Sequence, residues 1–199
     1  PITINDVMKS AKIADPLTLL DCSPISDGAA AVVITSGQSP KKSVSIVAST
    51  VATDTLGLAQ RKSLTELRAT KDAASRAYKM ASVEAKDIDI AEVHDCFSIA
   101  EILALEDLGF YAKGKAAPAV SRNEVTIGKS KRLVVNPSGG LKGCGHPVGA
   151  TGIKQIVELV EQLRGSAGER QVKKARVGLA QNVGGSGATA VVHILCKAR

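Results

Sequence analysis

NPSGGLKGCGHPVGATG, residues Asn136 to Gly152, is the stretch around which the rest of the chain is arranged. It places six glycines and two prolines around one histidine, His146, directly before the most strongly periodic helix pattern in the sequence. Glycine lets the backbone turn tightly and approach a ligand closely, and proline is tolerated at a first helical position. A plain turn with an incidental histidine does not need so many special backbone positions. The stretch therefore predicts a loop that displays His146 at a functional site.

GHPVGATG, residues Gly145 to Gly152, resembles the GHPxGATG motif of thiolases. Three further segments resemble motifs of that family in the same order: SDGAAA at Ser26 to Ala31, HDCF at His94 to Phe97, and the glycine-rich turn Asn182 to Gly187. HDCF is the form typical of the sterol-carrier-protein-2 type and archaeal thiolases. The match covers about Ile4 to Ala198 and resembles only the C-terminal half of a thiolase. We therefore expect residues 1–199 to form one thiolase C-terminal domain.

Composition is that of an ordinary globular domain. The chain has 199 residues, of which 44% are hydrophobic and 23% charged, and this is enough for one α/β domain with a full core. No apolar run approaches the roughly 20 residues that span a bilayer, and the start of the sequence lacks a basic region followed by an apolar one. Four widely spaced cysteines indicate neither a zinc site nor a disulfide framework: Cys22, Cys96, Cys144 and Cys196. We expect a cytoplasmic protein with free thiols, no metal and no membrane contact.

The net charge of +7 is spread over small basic clusters that are typical of a solvated surface. With two Phe, two Tyr and no Trp, the chain has almost no aromatic side chains on which bases could stack, which argues against nucleic-acid binding. A basic surface favours an anionic ligand such as coenzyme A, or an acidic partner.

Hydrophobic periodicity predicts strands that alternate with helices. The predicted strands are 29–35, 44–53, 88–93, 132–135, 176–180 and 189–195, and the first reads as a strand buried on both faces. The predicted helices are 2–14, 63–82, 98–108 and 148–163, with a loop at 37–42 and a polar excursion off the domain at 110–131. This order predicts an α/β fold with a mixed β-sheet covered by helices. It agrees with the βαβαβαββ half of the thiolase fold, with helices on both faces, that the resemblance implies.

Cys96 lies between a predicted strand and a predicted helix, whose start carries a capping box of Ser98 and Glu101. The positive end of a helix dipole and its free N–H groups favour a thiolate, the reactive form of cysteine. A free cysteine is otherwise usually a small buried hydrophobic residue. The position at a strand-to-helix turn beside His94 favours the reactive interpretation.

The resemblance implies the chemistry of thiolases, which is Claisen condensation of acetyl-CoA and the reverse, thiolytic cleavage of a 3-oxoacyl-CoA. By position in the motifs, His146 would activate the nucleophile and help to bind a thioester oxygen. Cys96 would be the acid/base for the second substrate, and His94 would contribute to an oxyanion hole for the enolate. Imidazole can donate or accept a proton near neutral pH, and positioned donors are most effective where charge develops.

Four further residues are predicted to bind the substrate. Phe97 and Ser23 match positions that line the pantetheine channel in the family, and Gly184 and Gly185 belong to the last glycine-rich turn. Coenzyme A thioesters are the expected substrates, with no separate cofactor and no metal.

Two departures from the family pattern matter. The nucleophilic cysteine of thiolases lies in the N-terminal half, so the resemblance implies that a partner half supplies it. Other thiolases carry a second catalytic cysteine in the last glycine loop, and Ala180 to Gly187 contains none. This favours the HDCF branch, in which Cys96 takes that role. Cys144 is interpreted as a packing residue in a crowded loop.

Three functions remain compatible with the sequence. The chain is the C-terminal part of a thiolase, or a scaffold subunit that binds an acyl-CoA or a partner, or a thiolase-like aldolase acting on side chains of steroid CoA esters. Retention of His94, Cys96 and His146 together favours the first over the second. Archaeal relatives assemble with a hydroxymethylglutaryl-CoA synthase and a small acyl-CoA-binding protein, so a homo- or hetero-oligomer of that kind is a further expectation.

Overall fold

The N-terminal residues form short elements outside the main sheet. The computed structural model describes residues 2–36 and 43–198, so the loop predicted at 37–42 lies outside the described residues. Helix α1 (Ile4–Lys9) is followed by a small antiparallel sheet of β1 (Lys12–Ala14) and β2 (Leu17–Thr18). The helix predicted over 2–14 is therefore too long. Thr3 and Asp6 form a capping box at its start, and it ends where the Ser10 N–H bonds back to the Val7 carbonyl.

The strand predicted over 29–35 is absent, and this prediction is wrong. These residues pair with no described strand, and Val33 is 91% and Ile34 74% exposed. A continuous apolar run produces a buried strand only where a neighbouring strand and two covering layers exist. The described part of the chain offers neither at this position.

A five-stranded mixed β-sheet forms the centre of the domain. It contains β3 (Val44–Thr53), β4 (Ile90–Glu92), β5 (Val134–Val135), β6 (Val177–Gly184) and β7 (Thr189–Lys197), in the order β3-β7-β6-β4-β5. Strand β7 runs antiparallel to its two neighbours, whereas β4 is parallel to both β5 and β6. The mixed sheet predicted from the sequence is confirmed. The carboxyl ends of β4, β5 and β6 consequently meet at one edge, where ligands bind in open α/β sheets.

Helices cover both faces of this sheet, as predicted. On one face lie α2 (Arg68–Ala81), α3 (Ser98–Asp107) and α4 (Ala116–Ser121), and the buried face of α2 consists of small residues that approach the sheet closely. After β5 comes the short α5 (Gly140–Cys144). On the other face α6 (Thr151–Arg164) packs Ile156, Leu159 and Leu163 against the sheet. These two layers bury the strands that position the functional site.

The segment predicted as an excursion, 110–131, instead packs into the main core. Phe110, Ala116 and Val125 are almost fully buried, and α4 lies within this segment. A few apolar residues among many polar ones hold this long connection in the core. The average composition of the segment hides these few residues, so an interpretation based on composition misses the packing. None of the helices in the described ranges is long and apolar enough to cross a membrane.

Candidate active site

The HDCF residues, His94 to Phe97, follow the end of β4 and form a turn at the edge of the sheet. The backbone N–H of His94 donates to Oε1 of Gln181 on β6 at 2.9 Å, and the His94 side chain is only 8% exposed. Gln181 is fully buried, and its amide nitrogen donates to Thr70 Oγ1 on α2. Because a buried amide is stable only when its hydrogen bonds are made, Gln181 fixes the backbone at His94.

Helix α3 begins at Ser98, but the predicted capping box is absent. Ser98 Oγ donates to Asp21 Oδ1 at 2.6 Å, and Glu101 instead accepts from the Asn136 side-chain amide at 3.2 Å. Both side chains therefore connect α3 to other segments and do not cap their own helix. Asp21 and Asn136, both distant in the chain, decide the orientation of these side chains, and local spacing gives no sign of either contact.

An N-terminal segment runs between the two histidine motifs. Cys22 pairs with Phe97 in an antiparallel bridge, and the Ser23 N–H donates to the Cys96 carbonyl at 2.9 Å. On the other side the His146 N–H donates to the Pro24 carbonyl at 3.0 Å. These bonds hold the backbones of the two motifs close together.

Buried carboxylates hold the glycine-rich loop that leads to His146. Asp95 Oδ1 accepts from the Leu141 N–H at 2.7 Å, so this side chain satisfies a free donor at the start of α5. Glu92 accepts from the Ser138 N–H at 3.2 Å and from the Ser138 hydroxyl at 2.7 Å. At Gly140 the backbone has φ of +64°, and a side chain would collide with the Asp95 carboxylate. The loop thus requires glycine at this position for both its conformation and its close approach to Asp95.

The two histidines meet in one cleft. Their ring centroids are 5.0 Å apart and the rings lie edge to face at 86°. His146 Nδ1 lies 2.7 Å from Thr151 Oγ1, at the first residue of α6. The helix predicted over 148–163 therefore starts later than predicted, and Pro147 lies in the turn before it.

Both imidazoles are neutral near pH 7. Burial, and then the neighbouring His146, lower the pKa of His94 to about 4. Burial also lowers the pKa of His146, although the Asp95 carboxylate opposes part of this shift. A neutral imidazole has one N–H and one lone pair, so each ring can either donate or accept a proton in the cleft.

Cys96 is half-buried, and its environment does not favour the thiolate. Burial raises the pKa of the Cys96 thiol, and the nearby Asp95 charge raises it further, although the Phe97 N–H opposes these effects. The expectation of a stabilised thiolate is therefore wrong. The donor at the helix start is present, but desolvation and a like charge outweigh it.

All seven predicted site residues line a single cleft of about 500 Å³: Ser23, His94, Cys96, Phe97, His146, Gly184 and Gly185. Cys22, Ile25, Val148, Asn182 and Val183 complete its lining. Cys144 lies outside it on the exposed side of the loop, with its thiol donating to the Ser138 carbonyl at 2.9 Å, so its interpretation as a packing residue is wrong. Within the described ranges, no group of three or more His, Cys, Asp or Glu could hold a metal ion.

Sequence reasoning missed the buried polar residues that support this cleft. Gln155 on α6 donates to the carbonyls of Glu92 and Gln181 and accepts from the Asn182 amide. Glu92, Gln155 and Gln181 are 2%, 3% and 0% exposed. A local signal exists for Glu92 alone, a polar residue among the apolar residues of the predicted strand 88–93, because such a residue is buried only with partners.

A family profile and two archaeal proteins match most of this chain. The profile of the thiolase C-terminal domain-like family matches residues 50–197. The chain is 50% identical to an acetyl-CoA acetyltransferase of Methanothermobacter thermautotrophicus, covering 98% of this chain and 52% of that protein. It is 45% identical to the acetyl-CoA acetyltransferase of Methanocaldococcus jannaschii, over 100% of this chain and 53% of that one.

More distant relatives extend the comparison. Sterol carrier protein 2 of Oryctolagus cuniculus is 43% identical over 95% of this chain and 36% of its own length. The solved Ltp2-ChsH2(DUF35) aldolase superposes with a TM-score of 0.82 over 100% of this chain and 52% of its own chain, at 24% sequence identity, and so shares the fold. The chain thus spans about half the length of the archaeal relatives that it matches.

Proposed function

Because this chain belongs to the thiolase family through its C-terminal domain-like region, we propose that it forms the C-terminal part of an acetyl-CoA C-acetyltransferase. It would act with an N-terminal half that carries the nucleophilic cysteine. The reaction would be condensation of acetyl-CoA or thiolysis of a 3-oxoacyl-CoA.

One observation carries this proposal. Cys96, His146 and Gly185 belong to three distant stretches of the chain, and all three line one cleft that also contains His94. Two neutral imidazoles, with ring centroids 5.0 Å apart, and a thiol in the same cleft provide a base, a hydrogen-bond donor and a second acid/base. A scaffold that only binds an acyl-CoA does not require these three groups together.

The proposed first half-reaction uses His146. It would accept the proton of the partner's cysteine thiol, whose sulfur attacks the thioester carbonyl and breaks the bond to coenzyme A. The proton would then pass from His146 to the departing coenzyme A thiolate. A neutral imidazole suits this role, since it can accept a proton and return it within one cycle.

The proposed second half-reaction uses Cys96 and His94. Once Cys96 has released its proton to solvent, its thiolate would remove a methyl proton of acetyl-CoA. The enolate carbon would then attack the acyl group on the partner's cysteine and break its carbon–sulfur bond, and the released cysteine thiolate would take a proton from solvent. The His94 Nδ1 is buried without a hydrogen-bond partner among the described residues. An orphaned lone pair there costs less than an orphaned N–H, so the proton belongs on Nε2, where it can donate to the enolate oxygen.

Exposed apolar residues support a partner at the cleft. Ile25 is 98% exposed and Val148 is 76% exposed, and both lie on the cleft lining. The unpaired apolar segment 29–36 continues from this lining. Large exposed apolar surfaces mark interaction sites, so we propose that the N-terminal half covers them.

The test combines the purified chain with an N-terminal thiolase half and measures cleavage of acetoacetyl-CoA by free coenzyme A. We expect no turnover from either part alone and turnover from the combination, with His146→Ala abolishing it. Cys144→Ala, which removes a thiol outside the cleft, serves as the matched control and should stay active. Turnover by the chain alone at about 1 to 10³ per second, the usual range for enzymes, would contradict the proposal.

A further inference from the structure

Thr151 is buried beside His146 and makes two close contacts through one hydroxyl. Its side chain is 2% exposed at the first position of α6. Oγ1 lies 2.7 Å from His146 Nδ1 and 3.1 Å from the carbonyl oxygen of Pro147, four residues earlier in the chain. Threonine readily bonds the carbonyl four residues back, and its branched Cβ restricts its rotamers. The hydroxyl is therefore held in one place.

The single hydroxyl proton decides the direction of both contacts. If the hydroxyl donated to Nδ1, Oγ1 and the Pro147 oxygen would face each other at 3.1 Å with no proton between them. The Pro147 carbonyl cannot turn away, because the N–H groups of Ala150 and Thr151 also bond to it, at 2.8 and 2.9 Å. Both contacts are hydrogen bonds only when the hydroxyl donates to Pro147 and Nδ1–H donates to the hydroxyl.

We propose that Thr151 is a positioning residue that fixes neutral His146 as the Nδ1–H tautomer and so leaves the Nε2 lone pair free as the base. Within residues 2–36 and 43–198, no hydrogen bond to Nε2 is present, and the ring lines the cleft. A thiol proton from the partner's cysteine then moves to Nε2 while Nδ1–H stays bonded to Thr151. The Nε2–H returns this proton to the leaving coenzyme A thiolate. This inference rests on the role proposed above for His146.

Two substitutions separate the hydroxyl from the shape of the side chain. Thr151→Val keeps the branched shape and removes the acceptor, whereas Thr151→Ser keeps the hydroxyl and removes the methyl group. General-base catalysis contributes about 10² to 10⁴-fold, so Thr151→Val should slow single-turnover acylation by roughly ten- to a hundredfold. Thr151→Ser should restore the rate to within a few fold, and KM should change little in either. Equal losses in the two variants would overturn the proposal.

A spectroscopic measurement reads the tautomer directly. The chain, labelled with ¹⁵N on its three histidines, is combined with an unlabelled N-terminal half, so that only His94, His146 and His193 give signals. His146 is assigned from the signal lost in His146→Asn. Long-range ¹H–¹⁵N correlations at a pH where the ring is neutral should show a protonated Nδ1 and an unprotonated Nε2. Thr151→Val should shift this balance toward Nε2–H, and Thr151→Ser should not.

The spectrum of the unsubstituted protein tests the tautomer of His146 even when a variant fails to fold. A protonated Nε2 in neutral His146 overturns the tautomer assignment, whatever the activity. If the Nδ1–H signal is present but thiolysis is absent, the positioning role of Thr151 is supported and the proposed function is contradicted. The two failures are therefore distinguishable.

Discussion

The surroundings of the Cys96 thiol determine its pKa and therefore how easily it loses its proton. Burial and the Asp95 charge raise its pKa, so the thiol is protonated at neutral pH. In the proposed thiolysis, a protonated thiol would deliver a proton to the leaving enolate. In the proposed condensation, the thiol would first lose its proton, and its raised pKa would make the thiolate a stronger base.

We expect Cys96→Ala to slow exchange of the acetyl-CoA methyl protons with deuterated solvent by about 10² to 10⁴-fold in the assembled enzyme, since this exchange needs the acid/base. Acylation should remain partly intact because it uses His146. In the unsubstituted enzyme, exchange should increase as pH rises above neutral, since the thiolate fraction grows with pH. Exchange that is equally fast in Cys96→Ala and in the Cys144→Ala control would show that Cys96 is structural.

Glu92 gives a prediction about stability. It is 2% exposed, and burial raises its pKa from 4.5 to about 7 against the opposing bonds from Ser138. Between these two values the folded protein holds a proton that the unfolded chain has released. Stability contributed by this group is therefore present below pH 4.5 and decreases as pH rises through 7.

We expect Glu92→Gln to raise the free energy of unfolding at pH 8 by about 3 kcal/mol, and to change it little at pH 4.5, because raising the pKa from 4.5 to about 7 costs about 1.4 kcal/mol for each pKa unit. Glutamine can keep both contacts to Ser138 without a charge. Denaturant unfolding of the assembled protein at the two pH values measures this, with the exposed Glu169→Gln as control. A stabilisation equal at both pH values would contradict the assignment.

At the scale of elements, the connection between β3 and α2 supports the last glycine turn. Arg61 Nη1 donates to the Ser186 carbonyl at 2.7 Å, and its Nε donates to the Thr55 carbonyl at 3.2 Å. The guanidinium thus joins two loops through separate donors, which a lysine ammonium on a flexible stem cannot reproduce. This contact holds the turn whose Gly184 and Gly185 line the cleft.

Arg61→Lys should raise KM for the acyl-CoA substrate by roughly two- to tenfold, since each lost hydrogen bond is worth about 0.5–1.5 kcal/mol. The value of kcat should change less, because the histidines and Cys96 do not contact Arg61. Arg68→Lys is the matched control, since Arg68 pairs with Asp72 on the exposed side of α2. A loss of kcat without a change in KM would place the effect elsewhere.

Strong local patterns allowed several elements to be predicted, whereas contacts between distant segments decided the rest. The bounds of β3 match the prediction because a long, bounded β-branched run has no competing interpretation. Gly165 ends α6 as predicted, adopting the left-handed conformation that glycine favours. The residues of the cleft were predictable by motif, but the Gln181 contact to His94 and the Asp95 contact to α5 join segments 46 or more residues apart. No local pattern contains that information.

At the scale of the whole molecule, the cleft opens on the side where apolar residues are exposed. The carboxyl ends of β4, β5 and β6 place the catalytic candidates at one sheet edge, and the segment 29–36 extends from the same region. A partner that covered this side would exclude water from the cleft and would strengthen every hydrogen bond and charge interaction within it. Assembly and activity should therefore be lost together.

Val33→Lys tests this coupling. Val33 is 91% exposed, so the substitution should leave the fold of the chain itself unchanged. If the N-terminal half covers Val33, burying an unpaired ammonium there is costly, and affinity between the halves should fall by at least tenfold, equivalent to about 1.4 kcal/mol. Thiolysis at limiting partner concentration should fall in parallel and recover when the partner is in excess. Met80→Lys, on the exposed last turn of α2 and 59% exposed, should bind and react normally. Titration calorimetry that gave the same affinity for Val33→Lys and Met80→Lys would place the partner on another surface.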